Sequence, residues 1–209
     1  MSDTPYPGLF VCFEGIDGSG KTTQARLIVE RLCTLGYDAV YTTEPTKWSE
    51  PGKKLRASFF APERLPVKDE FRLFLEDRLF HVKSEVIPLL RAGKIVVTDR
   101  YYFSSVAYQG SRGLDWKYIL EENMKFAIKP NLVFLLDLPV EEALERIASE
   151  RTEGVNTFEK EESLRKVKEI YLLLAEKFPK LIEKIDASKE ISVILETVLK
   201  LITKKIHSN

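Results

Sequence analysis

Five short apolar runs punctuate the chain, at Leu9–Phe13, Ala39–Thr42, Ile95–Thr98, Leu132–Leu136 and Leu181–Ile185. Val, Ile and Leu predominate in several of them with little strict alternation, the pattern of strands buried on both faces. Between them, apolar residues recur every three or four positions, which predicts helices over about 21–35, 69–92, 115–127, 140–151, 158–178 and 190–205. Most of these segments are long enough for the crossover that parallel strands require. The pattern therefore predicts an α/β layer fold with one five-stranded, mostly parallel sheet flanked by helices, in a single domain over residues 1–209. Two stretches resist assignment. One is Glu44–Pro66; the other is Ser149–Thr157, a polar stretch with Gly154 between two strong helices, expected to be a mobile surface loop.

Directly after the first predicted strand stands Gly15-Ile16-Asp17-Gly18-Ser19-Gly20-Lys21-Thr22, with a helical pattern following from Thr23. This is the complete G-x-x-x-x-G-K-[ST] string in the strand–loop–helix setting it requires, and it predicts a P-loop NTPase-type three-layer fold. The glycines let successive backbone N–H groups turn inward on a polyphosphate, and the helix start adds its partial positive charge. Lys21 is placed to bridge the β- and γ-phosphates and the Thr22 hydroxyl to bind Mg²⁺. A second acidic element is expected at the end of a buried strand, and Asp99 fits, with Arg100 immediately after it. Ligands in such sheets bind beyond the carboxyl ends of the strands, so Asp17, Glu44 and Asp99 are expected to converge there.

Charge and cysteine content narrow the partners. Lys plus Arg is 32 and Asp plus Glu is 32, so a formally neutral chain has no general attraction for a nucleic-acid polymer or an anionic membrane. No stretch approaches about 18 uninterrupted apolar residues, and the first residues lack a basic signal-peptide start, so a soluble cytoplasmic protein is expected. Cys12 and Cys33 make no framework and no metal spacing; both are expected to be buried packing residues of a reduced chain.

Among proteins with such a loop, a GTP switch needs an N-K-x-D string, whereas Asn131 is followed by Leu132. Motors usually carry further domains that 209 residues leave little room for. A kinase of a small acceptor needs an acceptor pocket, cations on the transferring phosphoryl and a lid that excludes water. The pocket is suggested by a misplaced charge: Arg78 falls within the helical stripe Phe71, Phe74, Leu75, Leu79, Val82 and Val86. A guanidinium there needs a carboxylate, a carbonyl or a ligand. Either Phe74 stacks on a ligand whose edge Arg78 reaches, or Arg78 makes a structural salt bridge beside an ordinary core Phe74. Ser104, Tyr108 and Gln109 can add polar contacts, and Arg56, Arg100, Arg146 and Arg151 are the candidate cations.

The strings Phe13–Gln24, Thr43-Glu44-Pro45, Asp99-Arg100-Tyr101, Ser104–Gln109 and Ile185–Ser188, in this order and spacing, resemble the thymidylate kinase family from about residue 9 to about residue 200. The resemblance implies phosphorylation of dTMP to dTDP by ATP with Mg²⁺, in dTTP synthesis, usually by a homodimer. It implies that Phe74 stacks on thymine, that Arg78 bonds its carbonyl edge, and that Arg56 and Arg100 hold the dTMP phosphate. Tyr108 would sit against the sugar near C2′, Gln109 or Ser105 would border the base, and Asp17 would contact the acceptor's sugar or phosphate region. Gly18 stands where some members carry a loop arginine, which assigns the catalytic arginine to the lid, about residues 148–160, and so to Arg146 or Arg151. The alternatives are a nucleoside monophosphate kinase for dUMP or a range of pyrimidine acceptors, and a nucleotide-binding module with no acceptor.

Overall fold

A computed structural model describes residues 5–150 and 157–207. Five strands, β1 (Leu9–Glu14), β2 (Ala39–Thr43), β3 (Ile95–Asp99), β4 (Leu132–Asp137) and β5 (Ile182–Asp186), form one sheet in the order β2-β3-β1-β4-β5. Every pairing is parallel, so the sheet is fully rather than mostly parallel. β1 and β3 are buried at every position, as their unbroken apolar runs required.

Helices cover both faces: α1 (Lys21–Thr34), α2 (Glu50–Ser58), α3 (Val67–His81), α4 (Ile87–Arg91), α5 (Tyr102–Gly110), α6 (Trp116–Met124), α7 (Val140–Glu150), α8 (Thr157–Lys177) and α9 (Ile191–His207). The helix expected over 69–92 is interrupted by a π-helical turn, Val82–Val86, between α3 and α4. Two helices were not anticipated. α2 lies inside the unassigned 44–66 stretch and starts at Ser49, whose hydroxyl accepts from Gly52 N at 2.8 Å. α5 is buried nearly all round and so has no apolar-polar period to detect.

Two expectations about burial change. Cys12 is buried in β1, but Cys33 is exposed, because α1 turns Ala25, Ile28 and Leu32 inward and the residue after Leu32 lies on another side. On α3, Phe74, Leu75 and Leu79 are only half-buried, while Glu70, Asp77, Arg78 and His81 occupy the inner face. That face is polar because each of these groups bonds to residues outside α3. Residues 151–156 of the anticipated lid, Arg151 among them, lie outside the described residues; its ends form the last turn of α7 and the first of α8.

Candidate active site

The pairing register fixes the site. Phe13, Asp99 and Thr43 are aligned across β1, β3 and β2, so Glu14, Arg100 and Glu44 leave the sheet side by side at its carboxyl edge. Glu44 N donates to Asp99 O at 3.1 Å, and Arg100 N donates to Phe13 O at 3.0 Å.

The loop after β1 turns through glycines with positive φ. At Gly18 (φ 81°), an added Cβ would lie 2.6 Å from Ala143 O of α7, so no side chain fits. At Gly15 (φ 143°) it would lie 2.7 Å from Leu136 O. The amino terminus of α1 has no side-chain cap, so its first N–H groups are directed at whatever sits in the loop. Lys21 Nζ donates to Ile16 O at 2.7 Å and lies 3.4 Å from Ser19 Oγ. Burial, helped by the neighbouring Arg100 charge and opposed by Asp17, Asp99 and Glu14, lowers this ammonium from its ordinary value to about 8.

Thr22 Oγ1 donates to Asp99 Oδ2, while Asp99 Oδ1 is buried with no hydrogen-bond partner. A buried carboxylate oxygen without a donor suits a cation. A hydroxyl and a carboxylate are also the donor set Mg²⁺ takes when phosphates and water fill its other positions. Thr22 and Asp99 thus fit the metal assigned to them.

Arg100 adopts φ 70°, a backbone strain that only surrounding bonds sustain. Thr98 Oγ1 donates to Arg100 O at 3.0 Å. On the next residues, Glu14 Oε1 accepts from Tyr101 N (2.9 Å) and Ser104 N (3.2 Å), capping α5 from another strand. Glu14 Oε2 accepts from Ser104 Oγ (2.5 Å) and Tyr171 OH (2.9 Å), and burial raises this carboxyl despite those bonds. So held, the Arg100 guanidinium pairs with Asp17 and lies over the Tyr108 ring, 5.1 Å from its centroid. Asp17, Lys21, Thr22, Asp99, Arg100 and Tyr108 are thus brought together at this edge.

The residues expected on the acceptor side take the following positions. Arg56, on α2, donates to Pro45 O and, at 3.2 Å, to Thr46 O. Gln109 is buried with Nε2 on Glu70 Oε1 at 2.8 Å, and Glu70 also binds Arg64 and Arg112. Phe74 is half-buried on α3, one turn before Arg78. Arg78 does form the structural salt bridge of the alternative reading: Nε donates to Glu44 Oε2 at 2.7 Å, one terminal nitrogen to Asn123 Oδ1 and the other to Ser105 Oγ at 3.1 Å. Ser104 and Ser105 thus spend their hydroxyls on Glu14 and Arg78. Of five guanidinium N–H groups these bonds use three. Arg146 donates to Ala187 O at 3.2 Å, which places it between α7 and the β5–α9 turn, beside an open cleft of about 380 Å³ at the ends of β4 and β5.

Sequence reasoning missed Glu14, Glu70, Asp77, His81 and Asn123. Glu14 carried the signal that singled out Asp99, an acid ending an apolar strand. Asp77 and His81 flank Arg78 in the stripe where its charge was noticed.

A glycine loop that presents a lysine and a hydroxyl bonded to a strand-end carboxylate at the open edge of a parallel sheet belongs to the phosphate-loop nucleotide enzymes. With an arginine after the acidic strand and no guanine-reading string, the class is a kinase of a small acceptor. The chain belongs to the thymidylate kinase family, whose family model matches residues 13–198. It is 41% identical over 203 residues to the probable thymidylate kinase of Thermococcus kodakarensis, covering 93% of this chain and 97% of that one. Against the probable thymidylate kinase of Pyrococcus horikoshii the identity is 46% over 180 residues, 83% of this chain and 86% of that one. Against the thymidylate kinase of Desulfotalea psychrophila it is 43% over 165 residues, 79% and 81% of the two chains.

Proposed function

We propose that this enzyme transfers the γ-phosphoryl group of ATP to a phosphate oxygen of dTMP, giving dTDP and ADP on the route to dTTP. The observation that carries the reading is the meeting of two phosphate sites on one edge. The open α1 terminus with Lys21 serves the donor, and Arg100, following β3, faces it across Asp17. Thr22 and Asp99 would hold Mg²⁺, which when bound would offset phosphate charge. Lys21 exchanges its bond to Ile16 O for phosphate oxygens, and Arg100 with Arg56 orients the acceptor phosphate. The acceptor oxygen is already anionic, so no general base is needed, and charge neutralisation with in-line positioning supplies the catalysis. Arg146, whose guanidinium donates to Ala187 O, and Arg151 are the two arginines for the lid's role on the γ-phosphoryl in this reading. Phe74, Arg78, Ser105, Tyr108 and Gln109 form the nucleoside end, with Ser104 bracing it.

The working form is a homodimer in the cytoplasm; among the described residues no helix is long and apolar enough to cross a membrane. Large apolar side chains are exposed around α2 and on α3, at Trp48, Phe59, Phe60 and Phe80, where a second copy would cover them. Incubation with Mg·ATP and, separately, dTMP, dUMP, UMP, AMP or GMP tests the activity by ADP release. dTMP is expected to give the highest kcat/KM. Faster turnover of another acceptor, or no ADP release above the acceptor-free rate, would overturn the assignment.

A further inference from the structure

Away from the phosphate loop, the densest buried charge lies under the acceptor side, on the inner face of α3. Glu44, Arg78 and His81 are each no more than 2% exposed, and their bonds run in a line. At the outer end Glu85, carried by the π-helical turn, accepts from Thr42 Oγ1 at 3.0 Å and lies 3.3 Å from His81 Nε2. That nitrogen is 2.7 Å from Thr42 Oγ1. The other ring nitrogen, Nδ1, is 2.9 Å from Glu44 Oε1, and Glu44 Oε2 accepts from Arg78 Nε at 2.7 Å.

The protonation state follows from these partners. Burial alone would strip the imidazole of its second proton, but the Glu44 and Glu85 carboxylates on its two sides raise it from 6.5 to about 9. At neutral pH both ring nitrogens donate, Nδ1 to Glu44 and Nε2 to Thr42, whose own hydroxyl proton goes to Glu85. Every donor of His81 and Thr42 then has an acceptor, and charge alternates from Glu85 through His81 and Glu44 to Arg78. A buried ion pair of this kind is poor at adding stability, since a well-packed apolar cluster serves as well. What the chain does supply is orientation. Glu44 grips one edge of the guanidinium, Asn123 and Ser105 take one proton on each terminal nitrogen, and Asn123 is itself fixed by its bond to Ile119 O at 2.7 Å. One N–H on each terminal nitrogen is left.

We infer that His81 is a positioning residue for recognition of the acceptor base: by holding Glu44 on its far oxygen, it sets the plane in which Arg78 presents its remaining N–H groups. The inference rests on the assignment of Arg78 to the acceptor site, and the test separates the two. Steady-state kinetics and Tm are measured on His81→Gln, which keeps a donor and drops the charge, on His81→Phe, which keeps ring volume and drops both, on Arg78→Met, and on His81→Gln combined with Arg78→Met. His81→Gln is expected to raise KM for dTMP by about 5- to 30-fold, the loss typical of one charge-assisted bond. Its kcat and its KM for ATP should stay within about 2-fold, and His81→Phe should act in the same direction and further. In the Arg78→Met background His81→Gln should add almost nothing, because its effect passes through the guanidinium. If Arg78→Met raises KM for dTMP and His81→Gln does not, or if their effects multiply, the positioning role is wrong and the acceptor site stands. If Arg78→Met leaves KM for dTMP unchanged, the acceptor-site assignment falls and this inference with it. A fall in Tm with both KM values moved alike would make His81 merely structural.

Discussion

Lys21 combines two conflicting demands in one side chain, a cation for phosphate and a buried position at the mouth of the loop. The conflict places its ammonium at about 8, with burial as the largest cause. At that pH half of the free protein holds Lys21 neutral, whereas a bound triphosphate favours the charged form and raises the value. Binding of Mg·ATP should therefore take up a fraction of a proton near pH 8, and apparent affinity should weaken as pH rises through that value. Titration calorimetry in two buffers of different ionisation enthalpy reads the uptake directly. The uptake should vanish in Lys21→Met, and an equal uptake in that variant would place the titrating group elsewhere. Residues of this loop were legible in the sequence because eight consecutive positions carry the chemistry. His81, Asp77 and Glu14 were not, because each acquires its partner across elements: Asp77 accepts from Thr46 N at 2.8 Å, and Glu14 from α5.

At the scale of elements, strands and amphipathic helices were readable from period and run length, and the failures have physical causes. α2 contains Pro51-Gly52, ordinarily a helix stop, yet proline is tolerated in the first turn. Gly52 is needed because a Cβ there would lie 2.4 Å from Thr46 O and 2.6 Å from Asp77 Oδ1. α5 hides its period by being buried on all sides and draws its cap from β1. The π-helical turn leaves the stripe of apolar residues intact, so nothing in the pattern betrays it, although it sets Glu85 against His81. Element packing also makes the loop brittle. Gly18→Ala would place a methyl against Ala143 O and in a left-handed conformation that costs about 1–2 kcal/mol before any clash. The loop must shift away from α7 to accept it. ATP affinity should fall by about tenfold or more, with only a few degrees lost in Tm for a chain of this size. Equilibrium binding of ATP and thermal melting on the same preparation check both numbers; affinity equal to wild type would mean that the loop's fit against α7 is not what shapes the phosphate cradle.

For the whole molecule, neutrality and a parallel sheet have a joint consequence. With no net charge to draw in anions, attraction for two phosphorylated substrates must come from one edge, where strand ends gather Lys21, Arg100 and Arg56. Strand order was not readable from the chain, since β1 reaches its neighbours β3 and β4 only after long crossovers. Nor was the surface pattern. Trp48 (45% exposed), Phe59 (51%), Phe60 (83%) and Phe80 (44%) flank or lie on α2 and α3, which pack together. Exposed rings of this size on two helices that pack together are where a second copy would bury apolar surface. A homodimer covering this side would also stiffen α3, and with it Phe74, Arg78 and His81. Sedimentation of the wild type at about 10 µM should give about twice the 24.0 kDa chain mass. Phe80→Glu puts a charge into the covered face, which costs several kcal/mol if it is buried unpaired, and should shift the protein to a monomer. The variant should keep its helical circular dichroism and lose dTMP affinity more than ATP affinity, because the residues proposed for the acceptor base lie on α3 and those proposed for the donor at the start of α1. Wild type sedimenting as a monomer, or Phe80→Glu remaining dimeric, would remove this face from the interface.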